Sequence, residues 1–153
     1  MTRAEKAIAL HTAGSACSQA VFAVFAEDLG LDVAAAHKVA GGFGGGIGRM
    51  GMTCGAVTGG IMVLSCALGA SEPEDQEKKL ALYGVVSDYI KRLRAHKGSI
   101  ECRELLEGAD LWTQEGRDEV KRKQLGASVC NPLIEHAVRE AERVLREKGT
   151  LGV

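Results

Sequence analysis

Four cysteines of this 153-residue chain lie close to residues that predict the start of a helix: Cys17, Cys54, Cys102 and Cys130. Nearby Ser, Thr or Asn residues are the types preferred as helix N-caps. A helix start carries unpaired N–H groups and a partial positive charge, which favour a thiolate over a thiol. Because the thiolate attacks disulfides and binds metals, these residues point to thiol redox chemistry or to a metal site.

The fifth cysteine, Cys66, is predicted to be a core residue without a chemical role. It lies in an apolar stretch, about 18 Å beyond Cys54 if both belong to one helix. A buried free cysteine usually behaves as a small hydrophobic side chain. No Cys-x-x-Cys pair occurs, which disfavours zinc ribbons, zinc fingers and thioredoxin-type motifs. The histidines also lack the paired spacing of metal ligands, and none is predicted to be one: His11, His37, His96 and His136.

A glycine-rich loop at positions 41–51 precedes Cys54. Its Gly46-x-Gly48-x-x-Gly51 pattern matches a dinucleotide-binding fingerprint in letters, but a predicted helix, not a strand, comes before it. We expect the glycines to allow close approach of the backbone to the central helix or to a site. The alternative is that their N–H groups form an anion nest for a thiolate or a cluster.

The elements that would position the cysteines are all helical. Aromatic residues make up 4% of the chain, small residues are abundant, and we find no alternating strand pattern of useful length. We predict an all-α, single-domain bundle of six to seven helices over 1–153, around a buried central helix that is apolar on every side. The expected helices cover about 2–13, 16–29, 33–40, 54–68, 71–96, 99–106 and 132–148, with a polar segment at 108–128.

Composition excludes several classes of partner. Nineteen basic and 20 acidic side chains leave no field to attract nucleic acid or an anionic membrane. The apolar helix is shorter than the roughly 20 residues that cross a bilayer, so we expect no stable membrane insertion. The first residues lack the apolar core of a signal peptide, which predicts a cytoplasmic protein whose cysteines do not form permanent disulfides. The composition is compatible with a homo-oligomer.

Several segments together carry a family resemblance. They are Gly14–Val21 around Cys17, Gly41–Gly48 followed by Cys54-Gly55-Ala56-Val57-Thr58-Gly59, Ser99–Leu106 with 110–116, and Cys130. On these segments the chain resembles the C-GCAxxG-C-C family of putative redox-active proteins. The resemblance implies that the four cysteines named first are the functional ones. Cys66 falls outside the family pattern.

Three functions are compatible with the sequence. The leading hypothesis is that Cys17, Cys54, Cys102 and Cys130 converge and perform thiol–disulfide exchange or electron transfer with an unidentified redox partner. An enzymatic role would then be that of a thiol–disulfide oxidoreductase. In the alternative, the same four cysteines bind an iron–sulfur cluster or another thiophilic metal. In the second alternative the cysteines are inert, and the protein is a non-catalytic helical partner or metal handler associated with a transport system.

Overall fold

The structure, a computed structural model, describes residues 1–151 and is all-α, as predicted. No strand occurs in this range, and a short 3₁₀ turn, Gly41–Phe43, follows the third helix. A π-helical turn, Gly126–Cys130, leads directly into the last helix. The α-helices of the described range are α1 (Arg3–Thr12), α2 (Cys17–Ala23), α3 (Val33–Ala40), α4 (Gly55–Leu68), α5 (Gln76–Lys97), α6 (Cys102–Leu105), α7 (Gln114–Arg122) and α8 (Asn131–Glu147).

Local signals account for the helix boundaries that the sequence predicted well. Thr2 and Glu5 form the reciprocal capping box at the start of α1. The Asp32 side chain accepts a hydrogen bond from the Ala35 N–H, which fixes the start of α3. Gly98 adopts a left-handed conformation (φ +80°) and ends α5. Each of these signals acts within one helical turn, so the sequence alone contains it.

The number of helices and several of their bounds differ from the prediction: the described range contains eight α-helices, not six or seven, and α6 begins at Cys102 rather than near Ser99. Helix α2 ends at Ala23, because the following residues form turns with i→i−3 hydrogen bonds such as Phe25 N–H to Phe22 C=O. Helix α5 begins at Gln76, since the Asp75 side chain caps it. The segment predicted as polar and irregular contains α7, whose N-cap Thr113 accepts from the Gly116 N–H. Helix α7 buries little apolar surface, which is why hydrophobic periodicity did not reveal it.

The central helix α4 packs closely against α2, because several of the residues at their contact are glycine. A Cβ on Gly55 would lie 2.7 Å from the Ser18 N, and one on Gly59 would lie 2.7 Å from the Ser18 O. Gly60 leaves room for the buried Tyr89 of α5, whose hydroxyl donates to the Ala137 C=O of α8 at 2.8 Å. The absence of side chains at these glycines therefore sets the distance between α4 and its neighbours.

Contrary to the prediction, helix α4 is not buried on every side, because one of its faces is exposed to solvent. Cys66, expected in the core, is exposed. It lines a surface groove together with Phe43, Ile61 and Met62. The reason is that α2, α5 and α8 cover only the face formed by residues such as Val57 and Leu64. Within residues 1–151, no helix combines the length and the hydropathy that a membrane span requires.

The buried apolar residues form two separate clusters. The large cluster combines residues of α1–α5 and α8, with Phe25, Leu64 and Leu133 among its fully buried members. The small cluster consists of Leu106, Ala109 and Leu125, between α6 and the π-helical turn. The region between these clusters contains the candidate site.

Candidate thiol site

The four cysteines predicted to be functional line one cavity of about 210 Å³. Cys54 belongs to the large cluster and Cys17 packs against it, whereas Cys102 and Cys130 pack against the small cluster. His11 lines the same cavity. The cavity therefore lies where the two apolar clusters meet, and each cluster contributes two thiols.

The close crossing of α2 and α4 positions the two thiols on the large-cluster side. Cys17 is the first residue of α2, and Cys54 is the N-cap residue of α4. A Cβ on Gly55 would lie 3.1 Å from the Cys17 Cβ, so a larger residue there would push α2 away. The sequence Cys-Gly thus places the N-terminus of α4 directly against the N-terminus of α2.

A short antiparallel pairing connects Cys54 to Cys102. Thr53 and Glu101 form an isolated β-bridge. The Cys54 N–H donates to the Ile100 C=O at 2.7 Å, and the Cys102 N–H donates to the Met52 C=O at 2.6 Å. Because side chains alternate between the faces of paired extended segments, Cys54 and Cys102 lie on the same face of this bridge. The bridge therefore places both thiols at the cavity, although they are distant in sequence.

The glycine-rich loop packs on this bridge through a left-handed turn. Five consecutive residues, 45–49, have positive φ angles between +57° and +71°. Two of them, Ile47 and Arg49, are not glycine, and a left-handed conformation costs such residues about 1–2 kcal/mol each. A Cβ on Gly46 would lie 2.7 Å from the Cys102 Cβ and from the Met52 N. The loop backbone therefore approaches Cys102 and Met52 so closely that a side chain at position 46 would collide with them.

Cys130 differs from the other three cysteines in its backbone environment. Cys130 directly precedes α8, as predicted, but its φ and ψ (−66°, −48°) are helical and the π-helical turn Gly126–Cys130 continues into α8. Asn131 is accordingly the first residue of α8 rather than a cap. The helix dipole at an open N-terminus is thus available to Cys17, Cys54 and Cys102, but not to Cys130.

His11 is the residue of the site that the sequence did not reveal. Its Nε2 lies 3.6 Å from the Cys17 Sγ, and its Nδ1 lies 2.9 Å from the Asn131 Oδ1. The ligand atoms of His11, Cys17 and Cys130 all lie within 4.8 Å of one another. A weak signal was available, since His11 is in the last turn of α1 and the turn at Gly14 returns the chain to Cys17. The contact with Asn131 depends on the packing of α1 against α8.

Burial, not the helix starts, dominates the pKa values of Cys54 and Cys102, and it also contributes to that of Cys17. Burial raises the pKa of Cys54 to about 11, although the N–H groups of Ala56 and Val57 act in the opposite direction. Burial also raises the pKa of Cys102 to about 12. Hydrogen bonding to Cys130 and burial raise the pKa of Cys17. The expectation of thiolates favoured at helix starts therefore fails, because the desolvation of a charge in the cavity outweighs the helix dipole.

Cys130 is the one thiol of the site whose pKa is lowered. The cause is the hydrogen bond from Cys17, which stabilises the Cys130 thiolate more than burial destabilises it. Cys17 itself has two acceptors within reach, the Cys130 sulfur and the His11 Nε2. The three groups therefore lie close enough to interact with one another at the edge of the cavity.

The sequence of this protein matches one known family over most of its length. Residues 15–144 match the model of a family described as "Putative redox-active protein (C_GCAxxG_C_C)". The match covers most of the chain, and this protein belongs to that family. No curated protein and no solved structure matches the chain.

Proposed function

We propose that this protein performs thiol–disulfide exchange and that Cys17 and Cys130 are its redox pair. The observation that carries the proposal is the proximity of their sulfur atoms, which lie within 4.8 Å of each other at the cavity. The lowered pKa of Cys130 supports a role as the attacking thiolate, and Cys17 is placed to resolve the mixed disulfide. The family's description as redox-active agrees with both roles.

The exchange consists of two displacement steps that transfer two electrons. The Cys130 thiolate attacks one sulfur of a partner disulfide, forms a mixed disulfide and releases the other partner sulfur as a thiolate. Cys17 then loses its proton to the His11 Nε2 and attacks the Cys130 sulfur. The Cys17–Cys130 disulfide forms, and the second partner sulfur leaves as a thiolate. The partner disulfide is thereby reduced and this protein is oxidised.

Cys54 and Cys102 form a second and slower thiol pair in this proposal. Their pKa values of about 11 and about 12 keep both residues protonated near neutral pH. A protonated thiol is a poor nucleophile, so neither residue competes with Cys130 for a partner disulfide. Their role is to be available to a disulfide that has already entered the cavity.

Mapping of the first disulfide tests this assignment. The reduced protein would be incubated with a chelator and with increasing ratios of oxidised to reduced glutathione, alkylated, and digested for mass spectrometry. We expect the Cys17–Cys130 disulfide to form first. We also expect iodoacetamide to label Cys130 before Cys54 or Cys102 at pH 7.

The matched variants are Cys130→Ser and Cys102→Ser. Loss of Cys130 should reduce the rate of exchange to that of a free thiol, whereas loss of Cys102 should leave the first disulfide intact. A first disulfide between Cys54 and Cys102 would contradict the proposed pair. Equal labelling rates of all four thiols would contradict the role of Cys130.

An iron–sulfur cluster or another thiophilic metal on all four cysteines is the second candidate function. It is favoured by the single cavity that Cys17, Cys54, Cys102 and Cys130 share. Anaerobic purification followed by iron analysis and an absorption spectrum would test it. Stoichiometric iron with visible sulfur-to-iron bands would support the cluster and contradict free dithiol chemistry in the isolated protein.

A further inference from the structure

Two sulfur atoms and one imidazole nitrogen converge at the edge of the cavity. They are the Sγ atoms of Cys17 and Cys130 and a ring nitrogen of His11, all within 4.8 Å of one another. In residues 1–151, no other group of three or more His, Cys, Asp or Glu side chains is this close together. From this group we infer a site for one tetrahedral thiophilic cation of the Zn²⁺ class, with its fourth coordination position facing the cavity.

The distance between the Cys17 and His11 ligand atoms fits tetrahedral coordination, and the Cys130 sulfur lies within 4.8 Å of both. Bond lengths of about 2.3 Å to sulfur and about 2.0–2.1 Å to nitrogen place these two ligand atoms about 3.6 Å apart on a tetrahedron. The distance from the Cys17 Sγ to the His11 Nε2 is 3.6 Å. The pair therefore already has the separation that a shared ion requires. The ligand set of two thiolates and an imidazole favours Zn²⁺ over Mg²⁺ or Ca²⁺, which prefer oxygen.

Asn131 provides the outer hydrogen bond that histidine ligands of metals usually have. Its Oδ1 lies 2.9 Å from the His11 Nδ1. An amide oxygen only accepts, so Nδ1 carries the proton and Nε2 keeps its lone pair, directed towards Cys17. The same contact fixes the orientation of the ring between α1 and α8. The hydrogen bond between His11 and Asn131 involves Nδ1, the ring nitrogen that is not directed towards Cys17.

Three protein ligands are sufficient because the cavity leaves room for a fourth ligand that does not come from the protein. His11, Cys17 and Cys130 each keep part of their residue surface exposed and lie at the edge of the cavity. The cavity of about 210 Å³ lies next to the three ligands and has room for a water molecule as the fourth ligand. Metal binding does not depend on disulfide exchange. A disulfide between Cys17 and Cys130 would remove two donors, so the oxidised protein should not bind the ion.

Anaerobic titration of the fully reduced protein with Co²⁺ tests the site, because thiolate and tetrahedral coordination both give characteristic absorption. We expect one equivalent to bind, with sulfur-to-cobalt charge-transfer bands and intense visible bands, and to be displaced by Zn²⁺. His11→Ala should remove the tetrahedral spectrum. Asn131→Ala, which removes only the outer hydrogen bond, should weaken the affinity about 10- to 100-fold. Circular dichroism would establish that each variant is folded.

Two cysteine variants provide the matched controls. Cys102→Ser and Cys66→Ser should bind Co²⁺ as the unmodified protein does, since neither residue belongs to the group of three. Loss of binding in Cys102→Ser with binding retained in His11→Ala would overturn the inference and indicate a four-cysteine site. Absence of tetrahedral Co²⁺ absorption in the reduced protein would also overturn it. Neither result affects the disulfide mapping, which is performed with a chelator, so the two proposals can fail independently.

Discussion

The large and small apolar clusters each contribute two cysteines to one cavity. The two clusters differ in the number of buried residues that surround these cysteines. The large cluster contains 24 buried residues, whereas the small cluster contains three. Local stability follows the amount of buried apolar contact, so the region of α6, α7 and the π-helical turn should open at a lower free energy than the α2–α4 pair. We therefore expect the site to combine a rigid half, at α2 and α4, with a mobile half, at α6, α7 and the π-helical turn.

Each of the two thiol pairs contains one cysteine from the large-cluster side and one from the small-cluster side. Cys17 belongs to the large-cluster side and Cys130 to the small-cluster side, and the same holds for Cys54 and Cys102. A disulfide or a metal ion shared by either pair would link the mobile half to the rigid half. The chemistry of the site and the local stability of the small cluster are thus expected to be coupled.

The largest expected effect comes from truncating one leucine in each cluster. Leu64→Ala should lower the free energy of unfolding by about 3–5 kcal/mol, because the surrounding core cannot close the cavity that remains. Leu125→Ala should cost about 2 kcal/mol or less, since the small cluster can collapse around the change. Denaturant unfolding of the reduced proteins measures both. Equal costs would mean that the two clusters form one cooperative unit.

A smaller effect is expected from two glycines of the left-handed turn. Gly46→Ala should destabilise the protein by about 2–3 kcal/mol, because its Cβ would collide with Cys102 in addition to straining the backbone. Gly48→Ala is the matched control: its φ is +57°, but a Cβ there meets nothing within 4 Å, so only the strain of about 1 kcal/mol applies. If the two variants lost the same stability, the contact between the loop and Cys102 would be unimportant.

The smallest expected effect is a dependence of stability on alkaline pH. The pKa of Cys54 is about 11 in the folded protein, against an ordinary value of 9.0. A raised pKa contributes stability that is complete below about pH 9 and is lost as the pH rises towards 11. At pH 10 the loss relative to pH 7 should be about 1 kcal/mol. Urea unfolding at the two pH values, with a chelator, should show a smaller loss in Cys54→Ala than in the unmodified protein.

Cys102→Ala extends this measurement to the small cluster. The pKa of Cys102 is raised to about 12, yet this variant should change the pH dependence less than Cys54→Ala does. The reason is that local opening allows Cys102 to ionise without global unfolding. A larger effect of Cys102→Ala would contradict the assignment of Cys102 to the mobile half. Cys66→Ala changes an exposed thiol. It should alter the free energy of unfolding by no more than about 0.5 kcal/mol at either pH value.

The sequence by itself determined the all-α class, the bounds of α3, most of α4 and the selection of the four cysteines that line the cavity. These depend on caps, helical periodicity and a family pattern, all of which are properties of neighbouring residues. The glycines at positions 55 and 59 also permit another helix to pack closely against α4, although the sequence does not say which helix this is.

The tertiary structure decided the environment of each thiol. The exposure of Cys66 and the contact of His11 with Cys17 depend on which helices pack together. The same packing places Asn131 against His11 and lets Cys17 donate to Cys130, which lowers the pKa of Cys130. A thiol's acidity depends on desolvation and on partners that are distant in the chain, so helix starts read from the sequence could not predict it.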